Sequence, residues 1–436
     1  MGTGTRCVTS QPFPGPSNVA VVDDARLAID GARIEAELAH LGTFTEAPPP
    51  AVTRVLWTPT DLAGRAYVRT LLEAEGLTIR TDPIGTIFAR WHGTEGSLAP
   101  VATGSHVDAI PNAGRYDGCY GVVGAIEAIR GLRRAGFAPR RSIDIIVFAS
   151  EEPTRFGVGC LGSRLMTGAM TPDAARLMRD ASGVSLEEAR AAAGHIGDLE
   201  SAQLAPGDIE AFLELHIEQG PVLERLNVAV GIVTAIAAPT TLRVTVHGEG
   251  GHAGALLMAD RRDALAAAAE VVLAVEGAAR ASGAVDTVGT VGQLAVFPGA
   301  VNGVPSRVDL SIDVRDVDGA RRDATVATIR ASMDEVATRR GVRVEVVTLS
   351  DDPPATMDPW LVDVLDVAAN DAGVATHRLP SRAYHDSLFM PRACPTAMLF
   401  VPCRNGVSHR PDEFATEADM ADGVRVLAHA LARLST

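Results

Sequence analysis

The sequence lacks paired cysteines and long apolar runs, and both shortages exclude classes of protein. The five cysteines, Cys7, Cys119, Cys160, Cys394 and Cys403, are odd in number and scattered, and none lies in a C-x-x-C motif. They indicate neither a disulfide framework nor a thiolate zinc site. No run approaches the roughly 18 apolar residues of a membrane span, and the first 20 residues carry proline and glycine in place of a signal-peptide core. We therefore expect a soluble cytoplasmic protein with a loose N-terminal tail.

Positive charge is also scarce. The chain has 39 basic and 54 acidic residues, a formal net charge of −15. This balance argues against nucleic acid or an anionic membrane as the main partner and favours a small-molecule substrate. With 436 residues, 47% of them hydrophobic and 21% charged, the chain is typical of a globular protein with two domains.

The first part of the chain alternates between strand and helix patterns. Capping-box patterns at Thr58 and Ser185 predict two helix starts. The run 143–149 is apolar and β-branched with little polar alternation, which is typical of a strand buried on both faces of a parallel sheet. It ends at Glu151 and Glu152, where α/β sheets usually bind their ligands.

The pattern changes after about residue 240. We predict a strand over 241–247, a helix over 260–281, strands over 286–297 and 307–314, a helix over 320–339 and a strand over 342–349. This βαββαβ order is typical of a ferredoxin-like domain inserted into a larger one. The sequence thus predicts an α/β fold with a mixed, mostly parallel sheet, a discontinuous catalytic domain over 1–234 and 351–436, and a small domain over 235–350.

The loop 104–118, GSHVDAIPNAGRYDG, contains the first candidate metal ligands. His106 and Asp108 follow a short apolar run, and at this spacing we expect the Asp108 carboxylate to hold one imidazole nitrogen and direct the other to a metal. Asp117 lies further along the loop between glycines that allow sharp turns. A surface histidine beside an aspartate, followed by an ordinary glycine loop, would have the same pattern.

Three further clusters add nitrogen and oxygen ligands: Glu151 and Glu152, His216 at the end of a predicted strand, and His409. Such a set suits zinc, manganese or cobalt, and an aspartate shared by two ions would make a two-metal site. Taken singly, the glutamates are equally consistent with a solvated charge pair, His216 with a core histidine and His409 with a surface turn.

Seven segments together resemble the hydantoinase/carbamoylase branch of the di-metal aminoacylase and carboxypeptidase superfamily. They are GSHVDAIPNAGRYDG, FASEEPTRFG, LELHIEQGP, GEGGHAGA, GAVNGVPSRVDLSIDVRD, AYHDSLFM and NGVSHRPDE. The resemblance implies a di-metal hydrolase whose ligands are His106, Asp117 (bridging), Glu152, His216 and His409. It also implies Glu151 as the general base. Asp108, which we count with the catalytic residues, would support the ligand His106 from behind. His216 favours an amidohydrolase, because peptidase relatives generally have an aspartate there.

The resemblance also assigns roles in the small domain. His252, on a glycine turn, would stabilise the oxyanion from the partner subunit of a homodimer, so the domain would act as lid and dimer interface. Asn302 and Arg315 would bind a substrate carboxylate. Without the family, Arg315 between Asp313 and Asp316 is more often typical of a surface salt bridge. The remaining implied substrate contacts are Gln219, Tyr384 and His385.

Within this branch, the segments GHAGALLMADRRDA and SRAYHDSLFM look most like ureidoglycolate amidohydrolases. Carbamoylases and allantoate amidohydrolases tend to have GHAGTTPM-like and SGAGHD-like segments there. The implied activity is hydrolysis of the ureido group to glyoxylate, ammonia and carbon dioxide, with two divalent ions, manganese ahead of zinc or cobalt. The alternatives are an N-carbamoyl-L-amino-acid hydrolase, an allantoate amidohydrolase, or an inactive homologue that acts as a binding module.

Overall fold

The computed structural model of the chain describes residues 22–436. Cys7 and the expected N-terminal tail lie outside the described residues. Among the described residues, every helix is too short or too polar to span a bilayer. The chain divides into two compact units. The larger runs to Ile232 and continues over Asp358–His377 and Arg392–Thr436, and the smaller comprises Val233–Met357 and Arg378–Pro391. The segment Arg378–Pro391 thus belongs to the smaller unit, whereas the sequence assigned all of 351–436 to the larger domain.

The elements of the described part of the chain are as follows. The α-helices are α1 Asp24–Leu27, α2 Gly31–Leu41, α3 Pro59–Ala74, α4 Cys119–Arg134, α5 Leu161–Met166, α6 Pro172–Arg176, α7 Leu186–Ala192, α8 Val222–Leu226, α9 Ala264–Ala281, α10 Gly319–Arg340, α11 Pro359–Asp371 and α12 Glu417–Leu434. The strands are β1 Val52–Arg54, β2 Thr78–Thr81, β3 Ile87–Trp91, β4 Val101–His106, β5 Ala109–Ala113, β6 Ile143–Phe148, β7 Ala211–Ile217, β8 Val230–Ile236, β9 Ala238–His247, β10 Gly251–His252, β11 Val288–Phe297, β12 Gly303–Val304, β13 Arg307–Asp316, β14 Arg343–Asp351, β15 Ala355–Thr356, β16 Thr376–Ser381 and β17 Thr396–Val401.

The larger unit is built on a mixed sheet with the strand order β17-β7-β4-β6-β3-β2. The pairs β17–β7, β7–β4 and β4–β6 are parallel, and β6–β3 and β3–β2 are antiparallel. All residues of β4, β6, β7 and β17 are buried, as the uninterrupted apolar run of β6 predicted. The carboxyl ends of these four parallel strands therefore meet at one edge of the sheet.

Two predicted capping boxes have different outcomes. Ser185 and Glu188 form both reciprocal bonds, so this prediction is confirmed. At α3 the Thr58 side chain accepts a hydrogen bond from Asp61 N, but the Asp61 carboxylate turns away and accepts the Trp57 amide at 2.8 Å. Its other contact is with the Arg65 guanidinium at 3.1 Å, a buried ion pair that outweighs a local cap. The second predicted box is therefore only half formed.

The smaller unit contains a four-stranded antiparallel sheet with the order β11-β13-β9-β14. In chain order its elements are β9, α9, β11, β13, α10 and β14, the predicted βαββαβ pattern. Residues of β13 alternate between buried and partly buried, because one face packs on the helices through Leu310, Ile312, Val271 and Ile329. The short pair β10–β12 brings His252 opposite Gly303.

Candidate metal centre and active site

The ligands that the family resemblance implied lie together at the carboxyl edge of the large sheet. His106 is the last residue of β4, Glu151 and Glu152 follow β6, His216 lies in β7, and His409 follows β17. Asp117 immediately precedes Gly118, the residue from which α4 begins. Since parallel strands end at a common edge, side chains far apart in sequence converge there.

Asp117 is the centre of this convergence. Its Oδ1 lies 3.1 Å from His216 Nε2 and 3.7 Å from His106 Nε2. Its Oδ2 lies 3.1 Å from His409 Nε2, which is itself 3.5 Å from Glu152 Oε1. The side chains thus form two groups of possible ligands, His106–Asp117–His216 and Asp117–Glu152–His409, with the ligand atoms of each group within 4.8 Å of one another. Asp117 is common to both.

Backbone carbonyls fix the orientation of both buried histidines. His106 Nδ1 lies 3.1 Å from Asp108 O, and His216 Nδ1 lies 2.9 Å from Ile217 O. A carbonyl only accepts hydrogen bonds, so Nδ1 of each ring donates to it and Nε2 is the nitrogen that faces Asp117. Metal-binding histidines in proteins are held in this way.

The charges at the site favour a cation between these groups. Burial lowers the pKa of His106 to about 4, so its Nε2 is unprotonated at neutral pH although it faces a carboxylate. Burial, and then repulsion from Asp117, raises the pKa of Glu152 well above its usual range. His409 has a pKa raised to about 9, chiefly by its hydrogen bond with Asp117. The proton that His409 carries against Asp117 already places one positive charge among these carboxylates. A divalent metal ion would take the place of such a proton, and nitrogen and oxygen donors of this kind fit it.

Glu151 stands beside both ligand groups without belonging to either. Its Oε2 lies 3.7 Å from His106 Nε2, and its Oε1 lies 3.6 Å from the Cys160 sulfur. The residue is only 5% exposed. Its neighbour Ser150 and its contact Cys160 both have φ of 55°, a left-handed conformation that is costly for a non-glycine residue and is found preferentially at functional sites.

Asp108 acts differently from the expectation for the H-x-D spacing. Its carboxylate oxygen is 3.7 Å from His106 Nδ1, and the closer contact to that nitrogen is the Asp108 carbonyl. The carboxylate instead accepts the amide hydrogens of Glu151 at 3.3 Å and Glu152 at 3.0 Å. Because β4 ends at His106, Asp108 lies beyond the strand and its side chain turns to the neighbouring strand end. It therefore holds the backbone of the glutamates.

Glu413 is a site residue to which the sequence assigned no role. It is buried, and its Oε1 accepts the amide hydrogens of Tyr116 at 2.9 Å and Asp117 at 3.1 Å. Its Oε2 accepts from the Ser408 hydroxyl at 2.8 Å. Burial, with repulsion from Asp117, raises the pKa of Glu413 to about 7. One sequence signal could have identified Glu413 as a site residue: it is an acidic residue four positions after His409, in the segment HRPDE.

Gln219, implied as a substrate contact, is directed at Asp117, one of the implied ligands. Its Nε2 donates to Asp117 Oδ2 at 3.0 Å and to the Ser408 hydroxyl at 3.2 Å. The residue has φ of 56°, and His409 has φ of 59°. In this structure Gln219 therefore steadies Asp117 through its Nε2, and its contact with a substrate stays a prediction.

The other implied substrate contacts lie in the smaller unit. His252 is exposed, and next to it the Ala253 amide donates to the Asn302 carbonyl at 2.9 Å. The Arg315 guanidinium donates through Nε to Asp313 at 2.8 Å and lies 5.7 Å from the centre of the Tyr384 ring. His385 is buried, with Nε2 at 3.0 Å from the Ser381 hydroxyl.

Comparison with known proteins places this site in a family. Residues 102–433 match the peptidase family M20/M25/M40. The chain is 48% identical over 414 residues to a ureidoglycolate hydrolase of Oryza sativa subsp. japonica, covering 93% of this chain and 85% of that protein. It is 37% identical to an N-carbamoyl-L-amino acid amidohydrolase of Geobacillus stearothermophilus, with 93% and 99% coverage.

Two solved structures are also similar to this chain. The crystal structures of AtUAH in complex with glyoxylate and with (S)-hydroxyglycine each superimpose with a TM-score of 0.87 at 48% identity, and the alignment covers 94% of this chain and 99% of that one. The match to the family model extends over most of the chain and includes all the implied ligand positions. The chain belongs to the peptidase family M20/M25/M40.

Proposed function

We propose that this chain is a metal-dependent amidohydrolase that cleaves the ureido group of ureidoglycolate. The observation that carries the reaction type is the buried Asp117 between two groups of ligands, with the Glu151 carboxylate beside them. The substrate is supported by the 48% identity to a ureidoglycolate hydrolase over nearly the whole chain.

Two divalent ions fit the ligand groups. His106, Asp117 and His216 would hold one, and Asp117, Glu152 and His409 the other. When bound, such ions lower the pKa of a coordinated water and polarise a carbonyl group. We favour manganese, and zinc or cobalt would accept the same donors.

Glu151 is the residue placed to move protons. Its Oε1 and Oε2 are buried beside the ligands, and its backbone is anchored by the Asp108 carboxylate. It takes a proton from the water that attacks the ureido carbonyl carbon and passes it to the departing nitrogen, as a general base and then a general acid. The bond between the carbonyl carbon and the terminal nitrogen breaks, and ammonia leaves.

The remaining steps need no further protein group. The carbamate left after loss of ammonia releases carbon dioxide and gives hydroxyglycine. Hydroxyglycine then loses its amino group as ammonia and becomes glyoxylate. Ureidoglycolate and one water thus give two ammonia molecules, one carbon dioxide and one glyoxylate, and all atoms are accounted for.

The smaller unit would supply the substrate-binding groups. Asp313 occupies the Nε edge of Arg315 and fixes its plane, so the guanidinium can meet the substrate carboxylate together with Asn302. His252 Nδ1 accepts the Gly254 amide at 3.1 Å, so Nε2 carries the proton and can donate to an oxyanion. Tyr384, on the face of Arg315, and His385 would complete the pocket.

We also propose that the chain works as a homodimer in which His252 acts on the partner subunit's substrate and the smaller unit closes as a lid. A reducing, cytoplasmic location is supported by the four described cysteines, which are buried thiols outside any disulfide.

A parallel assay tests the proposal. Protein loaded with manganese is given ureidoglycolate, allantoate and an N-carbamoyl amino acid, and ammonia is measured. We expect turnover of ureidoglycolate to exceed the others by at least about tenfold in kcat/KM. Preferred turnover of a carbamoyl amino acid would replace the substrate assignment, and absence of any turnover would support the binding-module alternative. The variant Glu151→Gln should retain metal and lose turnover, and substantial residual activity would refute its role as the base.

A further inference from the structure

Glu413 is a buried carboxylate, 5% exposed, that no step of the proposed hydrolysis uses. Both of its oxygens are engaged. Oε1 accepts two consecutive amide hydrogens, from Tyr116 and Asp117, and Oε2 accepts the hydroxyl hydrogen of Ser408. All three donors are neutral groups on loops that carry metal ligands.

These contacts connect two loops that are nearly 300 residues apart in the chain. The two amides belong to the loop that ends in Asp117, the ligand shared by both groups, and Ser408 immediately precedes His409. Packing around the carboxylate is close, since a Cβ at Gly114 would lie 2.4 Å from Glu413 Oε1. A single side chain thus fixes the backbone of the shared ligand relative to the loop of another ligand.

The charge of Glu413 does not explain its position. Its charge has opposing neighbours in the site, because the Asp117 carboxylate repels it and the His409 imidazole attracts it. What favours the position is the length of the side chain and its three accepted hydrogen bonds, because a backbone amide buried without a partner is costly.

We propose that Glu413 is a positioning residue of the metal centre, which sets the orientation of Asp117 through its reach and its acceptor oxygens, and that its negative charge is dispensable. This inference rests on the proposed two-metal function. Residues that orient metal ligands from behind typically affect metal affinity by 10–100-fold.

Two conservative variants distinguish the effect of the length of the Glu413 side chain from the effect of its charge. Glu413→Gln keeps the length and an acceptor oxygen for the two amides, and its NH2 group can donate to Ser408, whose hydroxyl also accepts. Glu413→Asp keeps the charge but is one methylene shorter, so it cannot hold both loops. Glu413→Ala removes both properties. The control is Asp82→Ala, since Asp82 is buried and also accepts two backbone amides, from Ile84 and Thr86, without touching a ligand.

The test is a titration of metal-free, full-length protein with Mn²⁺, in which free Mn²⁺ is measured by electron paramagnetic resonance. We expect two Mn²⁺ per wild-type chain, affinity of Glu413→Gln within about threefold of wild type, and affinity of Glu413→Asp and Glu413→Ala lower by 10–100-fold. The kcat for ureidoglycolate should follow the same order. Asp82→Ala should lower the melting temperature and leave Mn²⁺ affinity unchanged.

Two results would overturn the inference. One is wild-type affinity in both Glu413→Asp and Glu413→Ala. The other is a loss in Glu413→Gln as large as in Glu413→Asp, which would make the charge the important property. If Glu413→Ala does not fold, the comparison of the glutamine and aspartate variants still decides. Failure of the wild-type chain to bind two Mn²⁺ would instead refute the proposed function itself.

Discussion

Gly118→Ala tests whether the close packing behind His106 is needed for the metal centre. Gly118 has φ of 62° and ψ of −48° and forms the start of α4. A Cβ at this position would lie 2.3–2.4 Å from three atoms of the His106 imidazole, Nε2 among them. A side chain there is strained by its backbone conformation and also overlaps the ring that carries a proposed ligand nitrogen.

The expected loss of stability in Gly118→Ala has two parts. A non-glycine residue in this region of φ and ψ costs roughly 1–3 kcal/mol. Relief of the overlap requires the His106 ring to move by about 1 Å, which breaks the Nδ1 bond to Asp108 O and costs about 1 kcal/mol more. We therefore expect the free energy of unfolding to fall by about 2–4 kcal/mol. We also expect Mn²⁺ affinity at that ligand group to fall at least about tenfold, because ligand geometry is lost.

Gly76→Ala is the matched control. Gly76 has φ of 61°, and a Cβ there would meet nothing within 4 Å. It should lower the free energy of unfolding by about 1–2 kcal/mol and leave Mn²⁺ binding unchanged. Urea unfolding and Mn²⁺ titration of both variants provide the comparison. If Gly118→Ala bound Mn²⁺ as tightly as Gly76→Ala does, the reasoning from ring displacement would be refuted.

Three further predictions concern single side chains. Asp108→Asn replaces one of the two acceptor oxygens that face the amides of Glu151 and Glu152 with a donor. Steady-state kinetics should therefore show kcat reduced at least about tenfold with little change in KM. An unchanged kcat would contradict the role of Asp108 in holding the backbone of the two glutamates. Arg315→Lys keeps the charge but loses the planar fork, so KM for ureidoglycolate should rise about tenfold or more, and a wild-type KM would refute carboxylate binding there. Burial raises the pKa of Asp82 to about 6, so the folded state binds the Asp82 proton more tightly than the unfolded state. Proton binding therefore stabilises the folded state at low pH, and this stabilisation is lost as pH rises from about 4 through 6. Urea unfolding should therefore show that the stability of Asp82→Asn relative to wild type increases by about 1–3 kcal/mol between pH 4 and pH 8. A stability difference that does not change with pH would refute the raised pKa of Asp82.

The sequence predicted those parts of the fold that local pattern determines. The apolar run of β6 is buried throughout, and the capping box at Ser185 is formed. The order of elements from β9 to β14 follows from alternating and helical patterns that are strong in that segment. His106, Glu152, His216 and His409 lie at or beyond the carboxyl ends of parallel strands, and this is a property of the sheet that sequence can indicate. Asp117 instead reaches the same edge from the loop before α4.

The contacts that steady the ligands could not be predicted in this way. The Glu413 carboxylate binds amides nearly 300 residues away, and no periodicity records such a pairing. Asp108 was expected on the imidazole of His106, but the strand ends between them and its carboxylate turns to Glu152. Gln219 was implied as a substrate contact, and its hydrogen bond to Asp117 was not expected from the sequence. Each difference arises from long-range packing, which decides between partners that are locally equivalent.

The most direct measurement of the central claim is anomalous diffraction, at the manganese absorption edge, from crystals of the protein grown with Mn²⁺. The account predicts two peaks that share Asp117, one beside His106 and His216 and the other beside Glu152 and His409. A single peak, or two peaks that do not share Asp117, would contradict it.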